Sequence, residues 1–180
     1  ILSAREAQSL IEAADKFVEE KEKGNYESAI KAISRVRKIG EPGQIPSYSK
    51  PAIRVNKLVL ETADEVRSQL KELATQIESD QVDIKLGAML AYLKLRQDFG
   101  ALKLLKSDLA GFQKKYTLKE NKQLTREAKI IENANQANTK SKKKRAVESL
   151  TELIDLTEFE PVRKEAEKKL TELQQEMGAS

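Results

Sequence analysis

Between residues 55 and 77 the apolar side chains Val55, Val59, Ala63, Val66, Leu70, Leu73 and Ile77 follow one another at steps of 4, 4, 3, 4, 3 and 4. That spacing returns to one side of a helix with 3.6 residues per turn and to no face of a strand, so it predicts one long helix of roughly 40 Å at ~1.5 Å per residue. Elsewhere apolar residues again recur every three or four positions, and no stretch of strict alternation is long enough to name a strand. The expected fold class is all-α, with about eight amphipathic helices.

Glycine and proline set the breaks. Three of the four prolines, Pro42, Pro46 and Pro51, lie with Gly40 and Gly43 in IGEPGQIPSYSKP, which reads as a loop over 39–50. Before it, helices are expected at 4–22, opened by a Ser3 to Glu6 capping box, and at 26–38. After it come the long helix that starts near Pro51 and a helix at 82–95 that is apolar on several faces, as a helix surrounded by others would be. A fifth runs through Leu102, Leu105, Leu109, Phe112 and Tyr116, and a sixth opens at a Thr117 to Glu120 capping box and passes through Leu124, Ala128, Ile131 and Ala134. A seventh covers Ala146 to Ile154. The eighth opens at Thr157 to Pro161 and buries Val162, Ala166, Leu170 and Leu173. Short breaks between such helices fold each back on its predecessor, which gives antiparallel hairpins.

At 180 residues the chain has room for a single domain over 1–180: a first hairpin at 1–40, the 39–50 loop, and a main body at 51–180. The segment GNYESAIKAISRVRKIGEP at 24–42 resembles the turn and second helix of a tetratricopeptide repeat. Gly24, Asn25 and Tyr26 fall at the family's Gly-Asp-Tyr turn, Ala29 at its small packing residue, Ile33 at the large apolar position four later, and Pro42 near its closing proline. Weaker echoes occur at 130–158, around Ala134, Ala146 and Leu150, and at 97–109, around Phe99. The resemblance covers about half of the chain and implies an irregular right-handed stack of helical hairpins whose grooves cradle extended peptides. The long third helix has no counterpart in a regular 34-residue array.

Histidine and cysteine are both absent, which excludes imidazole acid-base catalysis, thiolate nucleophiles, imidazole or thiolate metal sites and disulfides. No two glycines lie closer than Gly40 and Gly43, so the common phosphate-cradling loops are missing as well. Glu127 with Glu132, and Glu61 with Glu65, share helix faces; solvated faces are the expectation for both, since exposed charges usually serve solvation. No catalytic residue, metal or cofactor is expected, and the chain is read as not an enzyme. No apolar run approaches the ~18 residues of a membrane span. The chain opens on Ile1 rather than Met, and the expectation is a soluble piece of a longer product, cytoplasmic or extracytoplasmic after removal of an N-terminal signal.

Charge is distributed unevenly. Residues 101–145 carry 13 Lys and Arg against 4 Asp and Glu, a balance of +9, and residues 146–180 carry −5. The densest run is Lys140, Lys142, Lys143, Lys144 and Arg145. Two readings compete: a docking surface for nucleic acid, acidic polysaccharide or lipid headgroups, which gains affinity by counterion release, and a solvated turn balanced by the acidic last helix. The second is favoured, and nucleic acid disfavoured, because Lys far outnumbers Arg and only Phe112 and Tyr116 interleave with the block. The functional expectation is therefore a scaffold or interaction module that binds a protein or peptide in a groove between hairpins. The alternatives are an anionic-polymer binder through 101–145 and a structural or oligomerisation spacer built on the 55–77 seam.

Overall fold

The computed structural model describes residues 1–117 and 120–178. Among these the backbone forms eight α-helices, two short 3-10 turns and no strand, so the chain is all-α. The helices are α1 (Ala4–Glu22), α2 (Tyr26–Ser34), α3 (Lys50–Ile77), α4 (Val82–Phe99), α5 (Lys106–Tyr116), α6 (Lys122–Asn135), α7 (Lys140–Leu156) and α8 (Glu160–Gly178), with 3-10 turns at Arg35–Lys38 and Lys103–Leu105. Among the described residues no helix is long and apolar enough to cross a membrane. Two compact units partition the chain, one formed by Ile1–Leu70 with Leu95–Gly111 and the other by Lys71–Lys94 with the residues from Phe112 onward.

In the first unit α1 opens on a complete capping box, in which Ser3 and Glu6 each bond the other's backbone N–H. It closes on a Schellman turn: Asn25 N–H donates to Glu20 and Gly24 N–H to Lys21, with Gly24 at φ +78°, a left-handed conformation that favours glycine. The turn sends α2 back along α1. Lys21 reaches Thr62 and Glu65 on α3, and Arg54 reaches Asp15 on α1, so partners advance together along the two helices and α1 and α3 run in the same direction. Ala14, Phe17, Ile30, Ile33, Val55, Val59, Ala63 and Val66 are buried, each at most 1% exposed. The helix expected over 26–38 tightens into a 3-10 turn from Arg35, and the Arg37 guanidinium donates to the Ala101 carbonyl. Tyr26 packs on Phe99 with ring centroids 5.3 Å apart.

In the second unit α6, α7 and α8 pack against one another. Leu124, Ala128, Ile131, Leu150, Val162, Ala166 and Leu173 form their buried stripes. Arg163 of α8 donates to the carbonyls of Ile154 and Thr157 and so adds to the bond from Thr157 N–H to Leu153 at the C-terminal end of α7. Tyr92 stacks on Phe112 at 4.6 Å, and Met89 and Lys85 of α4 meet Thr125 and Asn121 at the start of α6. The capping box expected at Thr117 to Glu120 includes Leu118 and Lys119, which lie outside the described residues.

Two expectations need correction. The run Lys140 to Arg145 is no turn: it forms the first turns of α7, with Thr139 as the cap whose hydroxyl accepts from Lys142 N–H. Glu127 and Glu132 do not lie on a solvated face either. They are 3% and 6% exposed, whereas Glu61 and Glu65 are exposed as expected.

Candidate functional site

The first unit leaves large apolar side chains in water along one groove. Tyr48 is 98% exposed, Ile53 50% and Leu60 42%. The groove, of roughly 850 Å3, has the loop segment Ile45 to Tyr48 as one wall and the α3 residues Ile53, Asn56, Lys57, Leu60, Glu61 and Asp64 as the other.

Local chemistry explains why this segment stays on α3. Pro46 cannot extend a helix, and Gly43 takes φ +96° with its α-carbon so close to Val59 that an added Cβ would lie 3.2 Å from Val59 Cγ1. Asn56 then clamps the buried Ile45, accepting from its N–H at 2.9 Å and donating to its carbonyl at 3.0 Å. The wall is thereby fixed while Tyr48, two residues before α3, points into solvent. Ser47 and Ser49 bond each other and finish the turn into the helix.

A second groove, of about 570 Å3, lies in the second unit between Leu86, Gly87 and Leu90 of α4 and Pro161 and Lys164 of α8. Two of its three acids, Asp83 and Glu160, stand in the first turns of their helices, where the dipole favours negative charge, and so need no ligand to account for them.

The tetratricopeptide-like residues come together at the α1–α2 hairpin. Gly24 makes the turn, Ala29 and Ile33 are buried, and Tyr26 is half-buried against Phe99. The seam from Val55 to Ile77 is buried within the chain and offers no free face.

The basic cluster wraps around α7. Four consecutive cations, Lys142 to Arg145, sweep through about 300° of helix at about 100° per residue, so they share no face. Lys140, Lys142, Lys144 and Arg145 are exposed, while Lys143 pairs with Glu176 near the end of α8 at 3.1 Å. The last turns of α6 and α8 contain no basic residue of their own. At least one lysine of the cluster therefore balances the negative end of a neighbouring helix.

Glu132 accepts from Asn135 and Gln136, each at 3.1 Å, and Glu127 Oε2 accepts from Gln123 at 3.1 Å. Glu127 Oε1 is buried and has no hydrogen-bond partner among the described residues. Among the described residues no group of three acidic side chains stands close enough to hold a metal ion.

What sequence reading missed is the groove itself. Its signal was present in Ile53 and Leu60, two apolar residues that fall off the 55–77 stripe by about a third of a turn. No protein-family model, curated protein or solved structure matches the chain.

Proposed function

We propose that the chain is a non-enzymatic helical scaffold whose α3 groove docks a protein or peptide partner. The observation that carries this reading is the convergence of Tyr48, Ile53 and Leu60 on one groove whose wall is fixed by Asn56. Apolar surface left in water along one groove favours whatever covers it, by about 25 cal/mol per Å2 buried. The hairpin at Gly24, Ala29 and Ile33 supports the same reading by its resemblance to tetratricopeptide units, and the alternation in direction of α1, α2 and α3 is what a stack of hairpins requires. The absence of His and Cys from the sequence supports the non-enzymatic part.

The test is selection of displayed peptides on the immobilised chain, followed by titration of the winners into wild type and Leu60→Lys. Peptides that bind wild type and lose at least about tenfold in affinity with Leu60→Lys support the groove, since a buried cation facing an apolar anchor costs at least that much. Winners indifferent to Leu60→Lys, or none at all, overturn it.

A further inference from the structure

The α3 segment that lines the groove carries its charges in an order that local helix energetics do not favour. Lys50, Arg54 and Lys57 come first, Glu61 and Asp64 follow them, Arg67 and Lys71 come only after these, and the first turn contains no acid. A helix dipole prefers the reverse, with acids early and bases late. The pair at positions 57 and 61 also has Lys before Glu, the weaker order for an i,i+4 pair, and its atoms are 3.9 Å apart. Ile53 and Leu60 lie in the same stripe, within about 60° of Lys57 at about 100° per residue.

We propose that the partner seated on this groove is a second copy of the same chain, with the two α3 helices antiparallel about a two-fold axis at the level of Val59. The inference rests on the reading of the groove as a docking site and names its occupant. In that arrangement Lys57 of one copy faces Glu61 of the other, Arg54 faces Asp64, and Ile53 and Leu60 of both copies fill the seam. A two-fold interface must be complementary to itself, and a helix segment basic over 50–57 and acidic over 61–64 meets that condition only when the copies run antiparallel. Lys57 and Asp64 are 74% and 79% exposed along their side chains, so both are free to turn toward a neighbour. Arg54 and Asp64 already touch Asp15 and Arg67, at 2.7 and 3.3 Å, and such exposed pairs exchange partners at little cost. A contact of one helix face and one short loop segment is small beside interfaces of about 1,200 Å2 and above, so the dimer is reversible and weak.

Sedimentation equilibrium of the full chain tests this with a charge swap. Wild type is expected to form dimers and nothing larger as its concentration rises to about 0.5 mM, enough to reveal a dissociation constant of ~0.1 mM. Lys57→Glu alone and Glu61→Lys alone each set like charges face to face and should weaken the dimer at least about tenfold. An equimolar mixture of the two variants restores both cross pairs and should dimerise again as a heterodimer, which no folding defect in either variant could mimic. Wild type that stays monomeric, a single variant that dimerises like wild type, or a mixture that fails to recover overturns the proposal. A monomeric wild type that still selects Leu60-dependent peptides would remove the second copy while leaving the docking groove in place.

Discussion

The side-chain amide of Asn56 clamps the backbone of Ile45 from both sides, accepting from its N–H at 2.9 Å and donating to its carbonyl at 3.0 Å. It makes the two contacts a neighbouring strand would make, in a chain with no strand among its described residues. Asn56→Ala leaves the N–H of a buried residue unpaired, while the Ile45 carbonyl keeps the bond from Ser47 N–H, and should cost about 1–3 kcal/mol. Urea denaturation measures that loss. Hydrogen exchange should speed up most at residues 44–49, and unchanged protection there would show that Pro46 and Gly43 hold the wall without the clamp.

Ala29 is 1% exposed where α2 folds back on α1. Ala29→Leu adds three carbons to a site with no room and should destabilise by about 1–3 kcal/mol. An unchanged melting temperature would remove the close helix approach on which the tetratricopeptide-like reading of this hairpin depends.

The helices were legible because burial on one side leaves a 3.6-residue period in the sequence, and Val55 to Ile77 carries it through about six turns. The ends of the elements were less so. Lys140 to Arg145 contain no apolar residue to mark a face, and only the Thr139 cap announces that α7 has begun. Glu127 and Glu132 were misjudged because a carboxylate predicts exposure on average, whereas here neighbouring amides solvate most of the buried oxygens. The groove was hidden for a different reason. It joins a loop to a helix face through Asn56 and Ile45, a tertiary contact that no periodicity encodes.

Glu127 offers a test of how much that burial costs. Among the described residues its Oε1 has no partner, and the donor to its Oε2, Gln123, is exposed and can return to water. Glu127→Met removes a buried carboxylate while keeping similar volume, and should raise stability by about 1 kcal/mol. A lower melting temperature would mean that the carboxylate holds something in place beyond Gln123.

Acidification should loosen the α1–α2 hairpin before it unfolds the chain. Glu20 is held below its ordinary value of 4.5 first by a hydrogen bond from Asn25 and then by one from Lys16, Glu19 by Lys23, and Glu6 by the backbone N–H of Ser3. A carboxylate with a lowered folded pKa contributes stability that is complete above its unfolded value and disappears as pH falls through the folded one. Amide protection in α1 and at Gly24 and Asn25 should thus hold down to about pH 5 and decline below about pH 4.5. Glu20→Gln keeps an acceptor for Asn25 without the titration and should flatten part of that decline. Protection that falls equally in α1 and in α6 to α8 would place the acid sensitivity elsewhere.

The basic cluster separates its two readings most cleanly on a heparin column. Lys142, Lys144 and Arg145 point in different directions around α7, and Lys143 is engaged by Glu176, so a linear polyanion meets only part of the charge at once. Counterion release scales with the number of cations engaged together, and few contacts give a shallow salt dependence. Retention should be lost by about 0.2 M salt, where screening already falls within ~8 Å. Replacing Lys142 and Lys144 with Gln should leave stability within about 0.5 kcal/mol, as for surface changes in general. Lys143→Gln should cost slightly more, because Lys143 pairs with Glu176 on α8. Elution above about 0.5 M salt, with a clear loss in the Lys142 and Lys144 double variant, would mean that the cations converge on one ligand despite their arrangement, and would favour an anionic polymer over a protein as the partner of this chain.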